Sequence, residues 1–254
     1  MVTLLCTVRD CHAPLARGAA RAVCERGHSF DVARSGYINL LQPQDRRAKS
    51  PGDSGEVVAA RRRFLDRYAI PLDLSRLPTP HSLLDTGCGE GHYLGEVKSH
   101  FDCEAHGIDI SVPAIDAAAR AHRDGTFVVA NADRFLPYAD ASFDLVMSIN
   151  ARLNPPEFRR VLRQDGTLLV SILGADDLRE LRGGPERDHV ERTIALFAPA
   201  FTLVHHENVR RTVRLDRNGI RDALASSYRG MRELPNQELD ATLSRDVLIF
   251  HSAP

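Results

Sequence analysis

The chain has no tryptophan, and it is poor in lysine and methionine. Lys occurs only at positions 49 and 98, and three of the 254 residues are Met. Aromatic contacts with a ligand must therefore come from Phe or Tyr, and nearly all cationic contacts from Arg. No apolar run approaches the roughly 18 residues that a membrane-spanning helix needs, and the first residues lack the basic-then-apolar pattern of an export signal. We therefore expect a cytoplasmic protein with no membrane partner.

Charge is divided unevenly along the chain, although the net value is −1. Residues 1–70 hold 12 Lys and Arg against 7 Asp and Glu, whereas the remainder holds 21 against 27. A basic N-terminal part on an acidic body favours contact with a polyanion. The alternative is that a compositional preference for Arg scatters cations without a binding role.

The order of residue types divides the chain into three parts. Residues 1–41 carry Cys and His among turn-forming residues, and residues 42–80 form a connector whose apolar positions from Val57 to Tyr68 have helical spacing. From residue 81 to residue 254, apolar strands alternate with helical patterns, as in a doubly wound parallel α/β sheet. We therefore predict a small N-terminal domain, a connector with one helix, and an α/β domain.

Seven strands are predicted in the α/β part. Helices are predicted between them, for example Val112–His122 and Pro155–Arg163. The predicted strands are Ser82–Asp85, Ala105–Ile110, Phe127–Ala130, Phe143–Ile149, Thr167–Leu173, Phe201–Glu207 and Asp246–His251.

A glycine-rich loop follows the first of these strands. Asp85 ends the strand, and Gly87, Gly89 and Gly91 alternate with other residues before a helix begins. Glycines let the backbone turn sharply and approach a ligand closely, and open α/β sheets bind ligands at this edge. A dinucleotide site would have the spacing G-x-G-x-x-G. An acid two residues before the first glycine favours a cationic ligand with an amino-acid end, so we predict S-adenosylmethionine (SAM), with NAD as the alternative.

Polar residues after the next two strands support the same ligand. Asp109, followed by Ile110, ends the second strand, where a carboxylate can accept hydrogen bonds from both ribose hydroxyls. Asn131 and Ala132 follow the third strand, where such folds contact the adenine. Several features in register at α/β intervals are much more specific than a glycine triplet alone.

Three of the five cysteines lie in the first 24 residues. Cys6, Cys11, Cys24 and His28 have the spacing C-x4-C-x12-C-x3-H, which suits a tetrahedral Zn²⁺ site formed by two turns. Four protein ligands leave no open position, so the site would be structural. His12 is a rival ligand, and the alternative interpretation is a set of packed thiols beside a surface His.

The chain resembles the RlmA family of 23S ribosomal RNA (guanine-N1) methyltransferases, which includes macrolide (tylosin) resistance enzymes. The resemblance covers nearly the whole chain. It is strongest in the segments 27–33, 36–41, 51–54 and 60–65. It implies a Rossmann-like class I SAM-dependent methyltransferase preceded by a small N-terminal zinc-binding domain. The four Cys and His residues fall on the family's zinc ligands, and the zinc domain would recognise RNA.

The chain departs from the family pattern in two places, and the second of them concerns the substrate. The family usually has a shorter gap between its first two cysteines. After the fourth strand it typically has an aromatic residue followed by Ala-Pro, whereas this chain has Asn150, Ala151 and Arg152. That position borders the methyl-accepting base. The departure therefore weakens the assignment of the substrate more than that of the family.

Guanine N1 carries a proton at neutral pH, so its methylation needs a base or an oriented water. Asp133, Asp53 and Glu90 are candidates, each also explained by a structural or cofactor-binding role, and the sequence identifies no catalytic residue. Candidate stacking platforms for the base are Tyr37, Phe64, Tyr93 and Tyr228. Candidate phosphate contacts are Arg46, Arg47, Arg61, Arg62 and Arg63.

The leading hypothesis is SAM-dependent methylation of a guanine N1 in 23S rRNA, the predicted partner. The first alternative is a methyltransferase of the same ancestry that modifies a small natural product, as the changed segment at Asn150 suggests. The second is an RNA-binding protein that keeps SAM as a ligand without catalysis. A homodimer is left open.

Overall fold

The computed structural model describes residues 2–45, 51–182, 188–226 and 237–253. Its N-terminal part is a three-stranded antiparallel meander. The strands are β1 (Leu15–Arg17), β2 (Arg21–Cys24) and β3 (Ser29–Asp31), in that order in the sheet. Such a short sheet buries few apolar residues, so it needs another source of stability.

The main sheet has eight strands, in the order β10-β11-β9-β8-β5-β6-β7-β4. Strands β4 to β9 run parallel to one another, whereas β11 is antiparallel to β9 and β10 is antiparallel to β11. The strands are β4 (Ile38–Asn39), β5 (Ser82–Thr86), β6 (Glu104–Asp109), β7 (Thr126–Val129), β8 (Phe143–Ile149), β9 (Leu162–Leu173), β10 (Phe201–Leu215) and β11 (Leu239–Ser252). The strand order reverses between β5 and β8, and open α/β sheets bind ligands at such a switch point.

The α/β class is confirmed, but the predicted count of seven strands is wrong. The eighth strand is β4, which comes from the segment assigned to the N-terminal domain and pairs with β7 through Ile38–Val128 and Asn39–Val129. Two residues are too few to show strand periodicity, so the sequence pattern could not predict this strand. Its position joins the N-terminal part to the edge of the main sheet.

Within the described ranges, six α-helices pack around the sheet. They are α1 (Gly55–Tyr68), α2 (His92–His100), α3 (Val112–Ala121), α4 (Pro155–Val161), α5 (Val190–Phe197) and α6 (Arg217–Ser226). Apolar residues of α2 and α3 pack on one face, and those of α4 and α5 on the other. A third apolar cluster joins α1 and α6 to the extended ends of β10 and β11. None of the helices in the described ranges is long and apolar enough to cross a membrane.

The N-terminal part is docked on the α/β body beside the carboxyl end of β7. The backbone N–H of Leu5 donates to the carbonyl of Pro137 at 2.9 Å, and that of Ala139 donates to Thr3 at 3.2 Å. The ring of His12 stacks on Phe135, with centroids 4.3 Å apart. These contacts and β4 make the two parts one packed unit.

Candidate cofactor site and metal centre

The predicted glycine loop lies at the switch point, directly after β5. Gly87, Gly89 and Gly91 have φ angles of 75°, 55° and 83°, which non-glycine residues rarely adopt. A Cβ on Gly87 would lie 2.4 Å from the Cβ of Ala151. The loop therefore needs glycine both for its backbone conformation and for its close contact with the segment after β8.

Asp109 holds the loop in place from the end of β6. Its carboxylate accepts hydrogen bonds from the backbone N–H of Gly89 at 3.0 Å and from that of Ser111 at 2.8 Å. The Ser111 hydroxyl in turn caps the N-terminus of α3 by accepting from Ala114 at 3.2 Å. Burial raises the pKa of Asp109, and the two N–H donors oppose that rise.

The remaining predicted cofactor residues lie at the same edge of the sheet. Ile110 follows Asp109, and the N–H of Ala130 donates to the Asp109 carbonyl at 3.1 Å, which fixes the start of the Asn131–Ala132 turn. The Ala132 carbonyl accepts from Asn154 Nδ2 at 2.8 Å. The carboxyl ends of β5, β6 and β7 thus bring together every residue predicted to bind the cofactor.

Buried carboxyl groups make this site suited to a cation. Asp85 is 2% exposed, and burial, together with the charges of Asp109 and Glu90, raises its pKa well above the usual value. Glu90 is also buried, and its Oε1 has no hydrogen-bond partner in the structure. A ligand with a sulfonium and an ammonium group would satisfy these carboxylates, so the donor set fits SAM.

Arg61 on α1 is a part of this site that the sequence reasoning missed. Its Nε donates to Glu90 Oε2 at 2.8 Å, and its Nη1 donates to Asp53 Oδ2. The two carboxylates raise the pKa of Arg61 although burial opposes this. In the sequence, the only indication of the Asp53–Arg61 pair is the spacing Asp53-x7-Arg61 across a capped helix start. That spacing is not specific for an ion pair.

The arginine cluster predicted to hold phosphates is therefore divided between different roles. Arg61 faces the glycine loop, and Arg63 is paired with the buried carboxylate of Asp222 at 2.6 Å. Arg62 is exposed, with Asp66 at 3.9 Å. The other two predicted members, Arg46 and Arg47, lie outside the described residues.

The predicted base and platform residues have distinct surroundings. Asp53 and Glu90 are paired with Arg61, whereas Asp133 is 40% exposed and lies 3.3 Å from Arg152 Nε. Their arrangement does not single out a catalytic base.

Of the predicted stacking platforms, Tyr93 is buried with its hydroxyl bonded to Arg245, Phe64 packs on Tyr68, and Tyr37 is half-buried. Tyr228 lies outside the described residues. Arg245 is buried, and its Nε and Nη1 have no hydrogen-bond partner among the described residues. It was not predicted from sequence.

The four predicted zinc ligands converge in the N-terminal part. The Sγ and Nδ1 or Nε2 atoms of Cys6, Cys11, Cys24 and His28 all lie within 4.8 Å of one another. Cys24 ends β2, and the turn to His28 closes through a hydrogen bond from the Gly27 N–H to the Cys24 carbonyl at 2.9 Å. The rival ligand His12 is instead engaged with Phe135.

The separations within this cluster fit zinc. Cys11 and Cys24 have their Sγ atoms 3.9 Å apart, and His28 Nδ1 lies 3.4 Å from Cys6 Sγ and 3.5 Å from Cys24 Sγ. Zinc–sulfur bonds of about 2.3 Å place tetrahedral sulfur ligands about 3.8 Å apart. Burial raises the pKa of the Cys6 thiol to about 12, and the adjacent thiol of Cys11 adds to the rise. A thiolate at Cys6 therefore needs a cation beside it, which zinc would supply.

Comparisons with known proteins give matches to both parts of the chain. A family model described as RlmA, N-terminal matches residues 5–49, and one described as a methyltransferase domain matches residues 83–169. The 23S rRNA (guanine(748)-N(1))-methyltransferase of Streptomyces fradiae is 38% identical over 89% of this chain and 86% of its own length. The chain belongs to this methyltransferase family. It is a SAM-dependent methyltransferase with an N-terminal zinc ribbon.

Two further comparisons concern the catalytic body. The 27-O-demethylrifamycin SV methyltransferase of Amycolatopsis mediterranei is 34% identical over 46% of this chain and 44% of its own length. The methyltransferase in the Haloferax volcanii complex with the Trm112 activator superposes with a TM-score of 0.56 at 18% identity, covering 81% of this chain and 100% of that chain. This structural likeness shows the fold alone.

The contact between Gly87 and Ala151 gives a direct test of the loop. We expect Gly87→Ala to destabilise the fold by about 1–2 kcal/mol for the left-handed backbone and by about 1–3 kcal/mol for overpacking against Ala151. Adding Ala151→Gly should recover only the stability that overpacking removes. Gly36→Ala is the matched control, because its φ is 99° but the nearest atom to its Cβ lies at 3.8 Å. Urea unfolding measures all four proteins, and a double variant no more stable than Gly87→Ala would contradict the packing argument.

Proposed function

We propose that the protein methylates N1 of a guanine in 23S rRNA with SAM as methyl donor. The observation that carries the proposal is similarity over almost the whole chain, zinc ribbon included, to an enzyme named for this reaction. A methyltransferase that modifies a small molecule has no evident need for a docked zinc ribbon. The proposed substrate therefore accounts for both parts of the chain.

The surface of the zinc ribbon suits a polyanion. Five arginines in its described part are exposed: Arg9, Arg17, Arg21, Arg26 and Arg34. The ribbon docks beside β7, so these cations lie on the same unit as the proposed cofactor site. Contacts between arginines and phosphates supply binding energy without reading sequence. The exposed Arg62 on α1 extends the set of proposed phosphate contacts.

The cofactor residues are proposed to hold SAM at the carboxyl edge of β5, β6 and β7. Asp85 and Glu90 face its cationic groups, Asp109 binds the ribose, and Asn131, Ala132 and Ile110 border the adenine. Bound SAM supplies a methyl group on a sulfonium, and its transfer is an in-line displacement that requires donor and acceptor to be aligned. The N1 proton of guanine must also leave.

Guanine N1 is a Watson–Crick atom, so the target base must be unpaired or flipped out. The segment from Asn150 to Arg152 follows β8, and its Ala151 lies against Gly87 of the glycine loop. This supports a position of the segment beside the proposed methyl donor. Asn150 is exposed and has a φ of 52°. Its amide is suited to hydrogen bonding with a base edge. An rRNA substrate also implies a cytoplasmic location, and self-association as a homodimer stays a prediction.

The second candidate is a small-molecule substrate. It is favoured by the departure at Asn150 and Arg152 and by partial similarity to an enzyme named for rifamycin modification. Purified protein with radiolabelled SAM should transfer methyl groups to protein-free 23S rRNA or to ribosomal particles, and mass mapping should locate the label at one guanine. Protein that binds SAM but labels neither form of rRNA would contradict the proposal and favour the small-molecule substrate.

A further inference from the structure

Arg61 is held in a position that links α1 to the glycine loop. A Cβ built on Gly89 would lie 2.9 Å from Arg61 Nη2 and 3.4 Å from its Cζ. The guanidinium therefore packs directly on the part of the loop that lacks a side chain. Its side chain is 24% exposed.

The hydrogen bonds of Arg61 leave one nitrogen for a ligand. Nε donates a hydrogen bond to Glu90 and Nη1 donates one to Asp53, whereas Nη2 makes no hydrogen bond within the described part of the chain. Asp53 is itself fixed, because its backbone carbonyl accepts from the Ser111 hydroxyl at 2.7 Å. The guanidinium is thus oriented by two carboxylates, with Nη2 directed at the glycine loop.

The charges around Arg61 explain why a cation is needed there. The buried carboxyl groups of Asp85 and Glu90 suit the sulfonium and ammonium groups of SAM, and Asp109 lies beside them, but SAM also carries a carboxylate at its amino-acid end. That carboxylate would be repelled by the three acids unless a cation lay beside it. Arg61 brings such a cation to the loop.

We propose that Arg61 binds the carboxylate of the amino-acid end of SAM, with Asp53 and Glu90 as the residues that position it. The inference rests on SAM being the methyl donor, and it assigns to α1 a role in cofactor recognition that is separate from RNA binding. A guanidinium is suited to this task because its planar N–H groups match a carboxylate.

The competing explanation is that Arg61 only ties α1 to the body of the protein. The two explanations differ in which ligands Arg61 affects. Decarboxylated SAM has the same adenosine, sulfonium and ammonium groups but lacks the carboxylate. A residue that binds the carboxylate affects only SAM, whereas a residue that merely supports the fold affects both ligands equally.

Calorimetry with the full-length protein separates these outcomes. We expect Arg61→Gln to weaken SAM binding about ten- to hundredfold, the range for a hydrogen bond to a charged group, and to leave the affinity for decarboxylated SAM unchanged or higher. Arg61→Lys should recover part of the SAM affinity. Arg67→Gln is the matched control, because Arg67 is an exposed arginine on the same helix that pairs with Asp216 and has no assigned binding role, and it should change neither affinity.

Equal losses for the two ligands, or no loss for SAM, would overturn the role of Arg61. If Arg61→Gln fails to fold, the unaltered protein still tests the proposal, since it must prefer SAM to the decarboxylated form. The rRNA proposal fails separately. If the protein discriminates between the two ligands through Arg61 but labels no rRNA, the role of Arg61 stands and the rRNA substrate is contradicted.

Discussion

Replacing Cys24 by Ser should remove the zinc and abolish methylation of 23S rRNA, while SAM still binds. Cys24 ends β2 and lies within hydrogen-bonding distance of both Cys11 and His28, so its loss opens the tetrahedral site. Structural zinc contributes about 10–16 kcal/mol to the folding of small zinc domains. The ribbon has little apolar core to replace this, and its arginines would lose their fixed arrangement.

Metal analysis and two activity measurements check this prediction. The unaltered protein should contain about one zinc per chain, and the variant should contain much less. Cys103→Ser is the matched control, because Cys103 is a free, half-buried cysteine that does not belong to the cluster. A full zinc content in the Cys24 variant would show that the ligand set is wrong. A zinc-free variant that still methylates rRNA would show that the ribbon is not needed for recognition.

A point variant is a better test than removal of the N-terminal part. A cut at residue 70, after the connector helix, would delete β4 and α1. Ile38 of β4 is fully buried against the main sheet, and α1 carries Arg61. The truncated chain would lose sheet pairing and a wall of the cofactor site together. A lost activity could then not be attributed to the ribbon.

The parts of the molecule that could be predicted from sequence are those whose chemistry restricts the residue type. Gly87, Gly89 and Gly91 all have positive φ angles, and few residues other than glycine tolerate them. The zinc ligands were predictable because thiolates and imidazole at this spacing have few other uses. Strands β5 to β8 were close to their predicted bounds, because buried parallel strands are continuous apolar runs.

The parts that were missed depend on contacts between distant segments. Strand β10 was predicted to end at Glu207 but continues to Leu215, because its later residues pair with β11 although most of them are exposed. Only Val213 and Leu215 among these later residues are buried. Their burial comes from α1 and α6, which pack on the end of the hairpin. A short stretch of sequence does not show which distant helices will pack on it. Arg61 was assigned to RNA for the same reason, since its partner Glu90 lies 29 residues away.

Asp109→Ala should produce the largest loss of SAM affinity among the cofactor residues. The proposed ribose contact consists of two hydrogen bonds to a charged group, worth about 1.5–3 kcal/mol each. The variant also frees the N–H groups of Gly89 and Ser111, so the loop and the start of α3 lose a common acceptor. Asp109→Asn retains one carboxamide oxygen as an acceptor and should lose less. Asp124→Ala, at an exposed carboxylate paired with Lys98, is the control for loss of charge.

The ligand 5′-methylthioadenosine distinguishes the ribose contact from other effects. It keeps the ribose and adenine of SAM but lacks the amino-acid end, so Asp109→Ala should weaken it and SAM by a similar factor. Arg61→Gln should leave its affinity unchanged, because no carboxylate is present. Unchanged affinity of Asp109→Ala for both ligands would exclude the ribose role. A loss for SAM alone would indicate that Asp109 acts through the glycine loop on the amino-acid end, since the ribose is common to both ligands.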